Sequence, residues 1–474
     1  MAKENDFDFG MIGLGTMGSN LLLNMADHGF SVIGYDKNMS KTLSLEASAL
    51  AGTNVRGVNE LEEMVNLLRK PRKIMLLVPA GKIVDDVIIE LLPLVEENDI
   101  IIDGGNSHYT DTTRRISLLA GKKIFFIGAG VSGGESGART GPSIMPGGNT
   151  IAYGHIKPVL EAIAAKVDNE PCVAYCGNGA AGHYVKMVHN GIEYAIMQLI
   201  SECYDLMKNG MGLNNEEMAS IFSKWNEGPM KSFLIEITVY VLQEKDPESG
   251  KFLVDLILDQ AGSKGTGKWT SQESFDRGVP IPTIDIAVSM RAISSLKSQR
   301  EEAAEIYESE PKRINASSEE IIPLLHDALY FSITCSYAQG LALLQESSTA
   351  LEMDIPLQDV VRIWRGGCII RSAMLGTFHT AFEKDKHLAN ILLDLGIANE
   401  IKQLEHGIRE VATLIVRNDY PASAILSAFT YFNAYHRKRL PANLLQAHRD
   451  FFGAHTYQRI DREGSFHTEW KQKD

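Results

Sequence analysis

Gly13, Gly15 and Gly18 follow directly on an apolar, β-prone run at residues 7–12 and open a helix-length segment at 20–28. Few folds accommodate that arrangement. The first glycine allows a tight turn, the second lets the backbone approach a pyrophosphate, and the third lets the helix pack closely on the strand. A helix that starts there turns unpaired N–H groups and partial positive charge toward the phosphates. The pattern predicts a dinucleotide-binding turn, with Gly13, Leu14, Gly15, Thr16, Met17 and Gly18 as its contacts.

Further runs at 31–35, 73–78, 100–102 and 123–127 are dense in Ile, Val, Leu and Phe, and helix-length segments such as 84–95 lie between them. Short apolar strands alternating with helices predict a doubly wound, parallel α/β sheet of Rossmann type. From Gly182 onward the strand signals fade, and amphipathic periodicity predicts long helices at about 184–209, 215–225, 282–307, 318–344 and 398–417. The expected organisation is an α/β Rossmann-like domain at 1–180, a large all-α domain at 181–440 and a C-terminal tail at 441–474. Trp225-Asn-Glu-Gly228 and Trp364-Arg-Gly-Gly367 occupy similar positions between helices, which suggests a duplicated helical unit, with chance similarity as its competitor.

Sixty acidic side chains against 46 basic ones leave a charge of −14, which argues against a nucleic-acid partner and leaves room for a small anionic ligand. No apolar run reaches the length of a membrane span, and residues 1–7 lack the layout of a signal peptide. The five cysteines are scattered and read as buried free thiols, with zinc at the Cys172/Cys176 pair as the lesser alternative. A cytoplasmic protein is expected.

The second strand ends at Asp36, where a carboxylate accepts ribose hydroxyls and repels a 2′-phosphate. Lys37 and Lys41 follow and could pair with that phosphate, so the dinucleotide stays open at this point. Two glycine-rich turns, Asp103-Gly-Gly-Asn106-Ser107 and Val131-Ser132-Gly133-Gly134-Glu135, follow the fourth and fifth predicted strands, on the side where such sheets bind ligands. On the first long helix, Lys186, His189, Asn190, Glu193 and Tyr194 recur at spacings of three and four, which places Lys186, His189/Asn190 and Glu193 on one face. The helix around them is apolar and small-residue-rich. A buried amine there can lose its proton and a buried carboxyl can keep one, giving a base and an acid on one rigid element.

These motifs, with K-G-T-G-K-W-T at 264–270, P-A-N-L-L-Q-A-H-R-D at 441–450 and F-G-A-H-T-Y at 452–457, resemble the decarboxylating 6-phosphogluconate dehydrogenases over nearly the whole chain. Shorter β-hydroxyacid dehydrogenases share the fingerprint, the Ser-Gly-Gly turn and the lysine, but lack the second helical unit and the tail. The resemblance implies oxidation and decarboxylation of 6-phosphogluconate to ribulose 5-phosphate, a step of the pentose phosphate pathway, without a metal. It implies that Lys186 is the catalytic base and acid, and that Glu193 protonates C1 of the enediol. Asn106, Ser132, Gly133, Gly134, His189 and Asn190 match residues that hold the sugar acid, and Tyr194, Lys264 and Arg291 match contacts largely at its phosphate end. Arg449 and His455 match residues that reach the neighbouring subunit's site, implying a homodimer.

Cofactor contacts are implied for the glycine turn, Asp36, Lys37, Asn38, Val78, Pro79, Ala80 and Asn106. NADP is the family's cofactor, yet Asp36-Lys37-Asn38 replaces the usual Asn-Arg-Thr, and an ammonium neither stacks nor binds bidentately as a guanidinium does. NADP is therefore expected first, with NAD or dual use implied by Asp36. Two rival readings are a dehydrogenase of another β-hydroxy acid and a nonenzymatic dinucleotide sensor. The implied phosphate contacts Tyr194, Lys264, Arg291 and Arg449 argue against an unphosphorylated substrate, and retention of Lys186 and Glu193 argues against a sensor.

Overall fold

The computed structural model describes residues 7–308 and 312–470; the segment 1–6, read above for a signal peptide, lies outside them. Seven strands form one sheet: β1 (Phe9–Ile12), β2 (Val32–Tyr35), β3 (Val55–Val58), β4 (Lys73–Leu76), β5 (Ile100–Asp103), β6 (Phe125–Ser132) and β7 (Ser143–Gly148). Their order is β3-β2-β1-β4-β5-β6-β7, parallel except for the antiparallel β6–β7 pair. Side chains alternate between the faces: Ile100 and Ile102 join the core with Phe9 and Met11, while Ile101 joins the opposite one with Ile12 and Ile33. Each fully buried side chain of this kind stabilises by about 1.5–3 kcal/mol, against ~0–1 for an exposed ion pair such as Lys82–Asp86. The two apolar layers hold the sheet.

All five expected strands are present, and two more flank them. β3 is short, with three half-buried residues, so its hydrophobic signal is weak. β7 contains Pro146 and two glycines, which a sheet tolerates only at an edge. Its Gly147 lies against the backbone of Gly182, and a side chain on either would collide with the other segment.

The helix Ala181–Asp205 packs against β6 and β7 at this edge of the sheet and runs into a π-helical turn, Leu206–Met211, ended by Gly212 in the left-handed region. Ser318–Ala350 packs along it, starting at a capping box in which Ser317 and Glu320 satisfy each other's backbone N–H groups. Gly340 admits Ile192 at that crossing, and Gly407 of the helix Leu395–Arg417 admits Asp327 on the far side.

The single helix expected at 282–307 is two, Pro282–Ser294 and Lys297–Tyr307. The break is tertiary in origin. Arg300 donates to the carbonyls of Ser294 and Asp259 at 3.1 and 3.2 Å, and Lys297 pairs with Asp259 at 2.9 Å. These contacts hold the corner and satisfy a terminal carbonyl that a continuous helix would have used internally.

Residues 7–428 and 429–470 belong to two contact-dense units. The second comprises the end of the helix Ser423–Tyr435, the helix Ala442–Gly453 and a two-stranded hairpin, Tyr457–Gln458 with Ser465–Phe466. Its anchor is Asp450, fully buried, which accepts from Thr456 N–H at 2.9 Å, Thr468 N–H at 3.0 Å and Trp470 Nε1–H at 2.9 Å.

Candidate active site

The glycine turn has the geometry its spacing predicts. Gly13 sits at φ +96°, against the Leu77 carbonyl and Val78. A methyl at Gly18 would fall on the Gly13 carbonyl, while nothing lies within 4 Å of one at Gly15. The helix Thr16–Asp27 has no side-chain cap at Gly15, which leaves its first N–H groups without a capping side chain. These features fit a pyrophosphate.

Asp36 faces this turn, accepting from Leu14 N–H and Asn38 N–H at 2.9 Å each, and from Lys41 Nζ at 3.1 Å. Partial burial would raise its carboxyl, but these donors outweigh it and hold the pKa below the ordinary value. Lys37 pairs instead with Glu90 at 3.0 Å. Asn38 caps the next helix, and Pro79 and Ala80 lie exposed beyond β4.

At the end of β5, Asp103 organises the Gly-Gly-Asn-Ser turn. Its carboxylate takes Gly105 N–H at 3.0 Å and Ser107 Oγ–H at 2.6 Å, and pairs with fully buried Arg115 at 3.2 Å. Asn106 is left exposed at the tip. His183 is buried between the Asp103 carbonyl at 3.0 Å and the Thr112 hydroxyl at 2.6 Å, a structural position.

The helix Ala181–Asp205 reaches the sheet only because glycines line the contact. Gly182 meets the carbonyls of Gly128 and Met145, and Gly130 meets the stem of Lys186. Lys186 is therefore pressed onto β6 and is 6 % exposed. Its Nζ lies 3.5 Å from His189 Nδ1, which in turn is 3.0 Å from Asn190 Oδ1 and 3.9 Å from Glu193 Oε2. His189 Nε2 is 3.3 Å from Ser132 Oγ. Those partners assign the tautomer: Nδ1–H donates to Asn190, and Nε2 accepts from Ser132.

Burial pushes the Lys186 ammonium below the ordinary lysine range, with Glu193 and Cys368 opposing. Burial raises the Glu193 carboxyl, with Lys186 and Arg291 opposing. Burial, with help from Lys186, takes His189 well below its usual value, so the imidazole is neutral. The arrangement holds an amine and a carboxylic acid on two sides of a neutral hydrogen-bonding ring.

A second cluster borders the first. The Arg291 guanidinium stacks on the Tyr194 ring at 3.4 Å and donates to the Gly262 carbonyl at 3.1 Å. Tyr194 OH is 3.5 Å from Ser263 Oγ, and exposed Lys264 follows in the same loop. Asn190 Nδ2–H donates to Thr266 Oγ1 at 3.2 Å. Gly133 and Gly134 form the turn after β6, and the Gly367 carbonyl rests against Gly133. Arg449 and His455 belong to the other unit, both exposed.

Residues 8–177 match the NAD binding domain of 6-phosphogluconate dehydrogenase, and residues 182–470 match its C-terminal domain. The chain belongs to the 6-phosphogluconate dehydrogenase family. The NADP(+)-dependent decarboxylating 6-phosphogluconate dehydrogenase of Bacillus subtilis (strain 168) is 49% identical over 471 residues, 99% of this chain and 100% of that protein. The decarboxylating enzyme of Mus musculus is 47% identical over 467 residues, 98% of this chain and 96% of its own. A solved structure of Plasmodium falciparum 6-phosphogluconate dehydrogenase superposes with a TM-score of 0.95 at 43% identity, covering 98% of this chain and 100% of that one. That enzyme was described in its apo form, with its cofactor NADP+ and with its substrate 6-phosphogluconate.

In this member of the 6-phosphogluconate dehydrogenase family, three site neighbours escape sequence reasoning. Trp364, fully buried, meets the His189 ring edge-on at 5.6 Å. Cys368 lies close enough to Lys186 to influence it, and its own thiol is pushed up to about 12, chiefly by burial. Thr266 tethers Asn190. Trp364 carried a signal as part of the repeated Trp-x-x-Gly pattern and Thr266 as part of the K-G-T-G-K-W-T motif, whereas Cys368 carried none. All five cysteines are buried free thiols. Among the described residues, no helix is long and apolar enough to cross a membrane.

Proposed function

We propose that this chain catalyses the oxidative decarboxylation of 6-phosphogluconate to ribulose 5-phosphate and CO2 with NADP, using Lys186 and Glu193. The observation that carries the assignment of roles is the buried Lys186–His189–Glu193 face beside the Ser132 turn. Gly13 to Gly18 would hold the pyrophosphate, and Asp36, Lys37, Asn38, Val78, Pro79, Ala80 and Asn106 the rest of the dinucleotide. When bound, NADP supplies the hydride acceptor.

Lys186, neutral through burial, takes the proton of the C3 hydroxyl as the substrate is oxidised to a 3-keto acid. The ketone lies β to the carboxylate, so it accepts the electron pair of the breaking C–C bond as CO2 departs. Protonated Lys186 then donates to the oxygen on which charge develops, a stabilisation greatest in the transition state. The resulting enediol takes its proton at C1 from Glu193, whose raised pKa keeps that proton available. His189 and Asn190, cross-linked to Ser132 and Thr266, orient the sugar acid together with Asn106, Gly133 and Gly134. Tyr194, Lys264 and Arg291 bind the phosphate end. Their stacked and looped arrangement supports that reading.

Glu193→Gln is expected to lower turnover by about 10²–10⁴-fold while substrate affinity changes little. Steady-state kinetics checks this, and turnover within threefold of the parent would contradict the role.

Arg449 and His455, presented by the Asp450-anchored unit, are read as completing the site of the neighbouring subunit in a homodimer. The domain division at 180 and 440 and a cytoplasmic location, supported by five unpaired thiols, belong to the same proposal.

A further inference from the structure

The segments that follow the two Trp-x-x-Gly turns pair with each other. Ser232 bridges Ser372, Phe233 N–H donates to the Arg371 carbonyl at 3.1 Å, and Ala373 N–H donates to the Lys231 carbonyl at 2.8 Å. Beside this bridge lies a cavity of about 390 Å³, a size ordinary for small-molecule sites. None of Lys186, His189, Asn190, Glu193, Tyr194 or Arg291 lines it.

Its lining is cationic on a chain of net charge −14: Lys231, Arg365 and Arg371 against one carboxylate, Glu236. Arg365 is partly neutralised by Asp168 at 3.5 Å and Glu170 at 3.1 Å. Among the described residues, Lys231 and Arg371 have no carboxylate within ion-pair distance. The Arg371 guanidinium is held rather than loose, stacked on Phe233 at 3.7 Å with one N–H on the Cys368 carbonyl at 2.8 Å. Ser232 Oγ accepts from Ile235 N–H at 3.3 Å, which leaves its own O–H to donate.

An oriented guanidinium, an exposed ammonium and a hydroxyl donor together suit a tetrahedral oxyanion. We propose that this cavity binds the phosphate group of a small phosphorylated molecule, at a site separate from the catalytic one. Because Arg371 holds the Cys368 carbonyl and Cys368 neighbours Lys186, an occupant sits one residue contact from the catalytic lysine's surroundings.

The test is equilibrium dialysis of the full chain against radiolabelled inorganic phosphate. With saturating NADP present to fill the Gly13–Gly18 turn, two sites per chain are expected. Lys231→Glu, at an exposed position, should weaken one of them at least tenfold and leave circular dichroism unchanged, whereas Arg291→Ala should remove the other. Phosphate binding by Lys231→Glu that is indistinguishable from the parent overturns the cavity site. Failure of Arg291→Ala to remove a site counts instead against the phosphate-end assignment above and leaves the cavity proposal standing.

Discussion

Replacement of Lys186 by methionine is expected to lower kcat by about 10²–10⁴-fold without loss of the fold. Methionine follows the same path over Gly130 and fills the same space, so what is removed is the amine. The direction of the stability change is part of the prediction. Burial holds the folded-state pKa of Lys186 below the unfolded value, so the unfolded chain binds this proton more tightly. The residue therefore costs stability at neutral pH, and the cost fades as pH rises toward the unfolded lysine value. Lys186→Met removes it, and the thermal midpoint should hold or rise. A catalytic residue that is retained at a cost to stability is common in active sites. In the parent, kcat/KM should rise with pH along a limb below the ordinary lysine range, as Lys186 loses its proton. Near-normal kcat in Lys186→Met, or a midpoint that falls by several degrees, would contradict this account.

Gly182→Val is expected to be the most disruptive substitution in the helical contact. Overpacking a core usually costs about 1–3 kcal/mol because side chains can shift. Here the new atoms would fall on the Gly128 and Met145 carbonyls and the Gly147 N–H, which are sheet backbone and have nowhere to go. A loss of ~3 kcal/mol or more, at or above the top of that range, is expected, with activity lost because Lys186 moves off β6. Gly154→Ala is the control. Gly154 lies inside the helix Thr150–Ile163 with open space around it, so alanine should be neutral or stabilise by about 0.5–1 kcal/mol. Scanning calorimetry of both variants decides it; equal midpoints would mean that the glycine contact does not position the catalytic helix.

Another set of glycines shows what could be read from the amino-acid sequence. Gly13, Gly15 and Gly18 each answer a separate steric demand of one local turn, so their spacing alone carries the geometry. Lys186, His189 and Glu193 are likewise local, set on one face by helical periodicity. Trp364 and Cys368 are not. They reach Lys186 and His189 from far along the chain, through a turn whose Gly367 carbonyl takes Ser143 N–H at 2.7 Å, and no periodicity reports that contact. β7 escaped because Pro146 and its glycines lower strand propensity while serving the approach of Gly182. The corner at Leu296 escaped because Asp259 and Arg300, rather than a local breaker, make it.

The most direct test of the central claim is to follow reduced nicotinamide and CO2 together with 6-phosphogluconate and NADP, then with NAD. Equimolar reduced cofactor and CO2 is the predicted result, and the NADP-to-NAD rate ratio reports what Asp36 contributes. Reduced cofactor without CO2, or no reduction with either dinucleotide from folded protein, would contradict oxidative decarboxylation by Lys186 and Glu193.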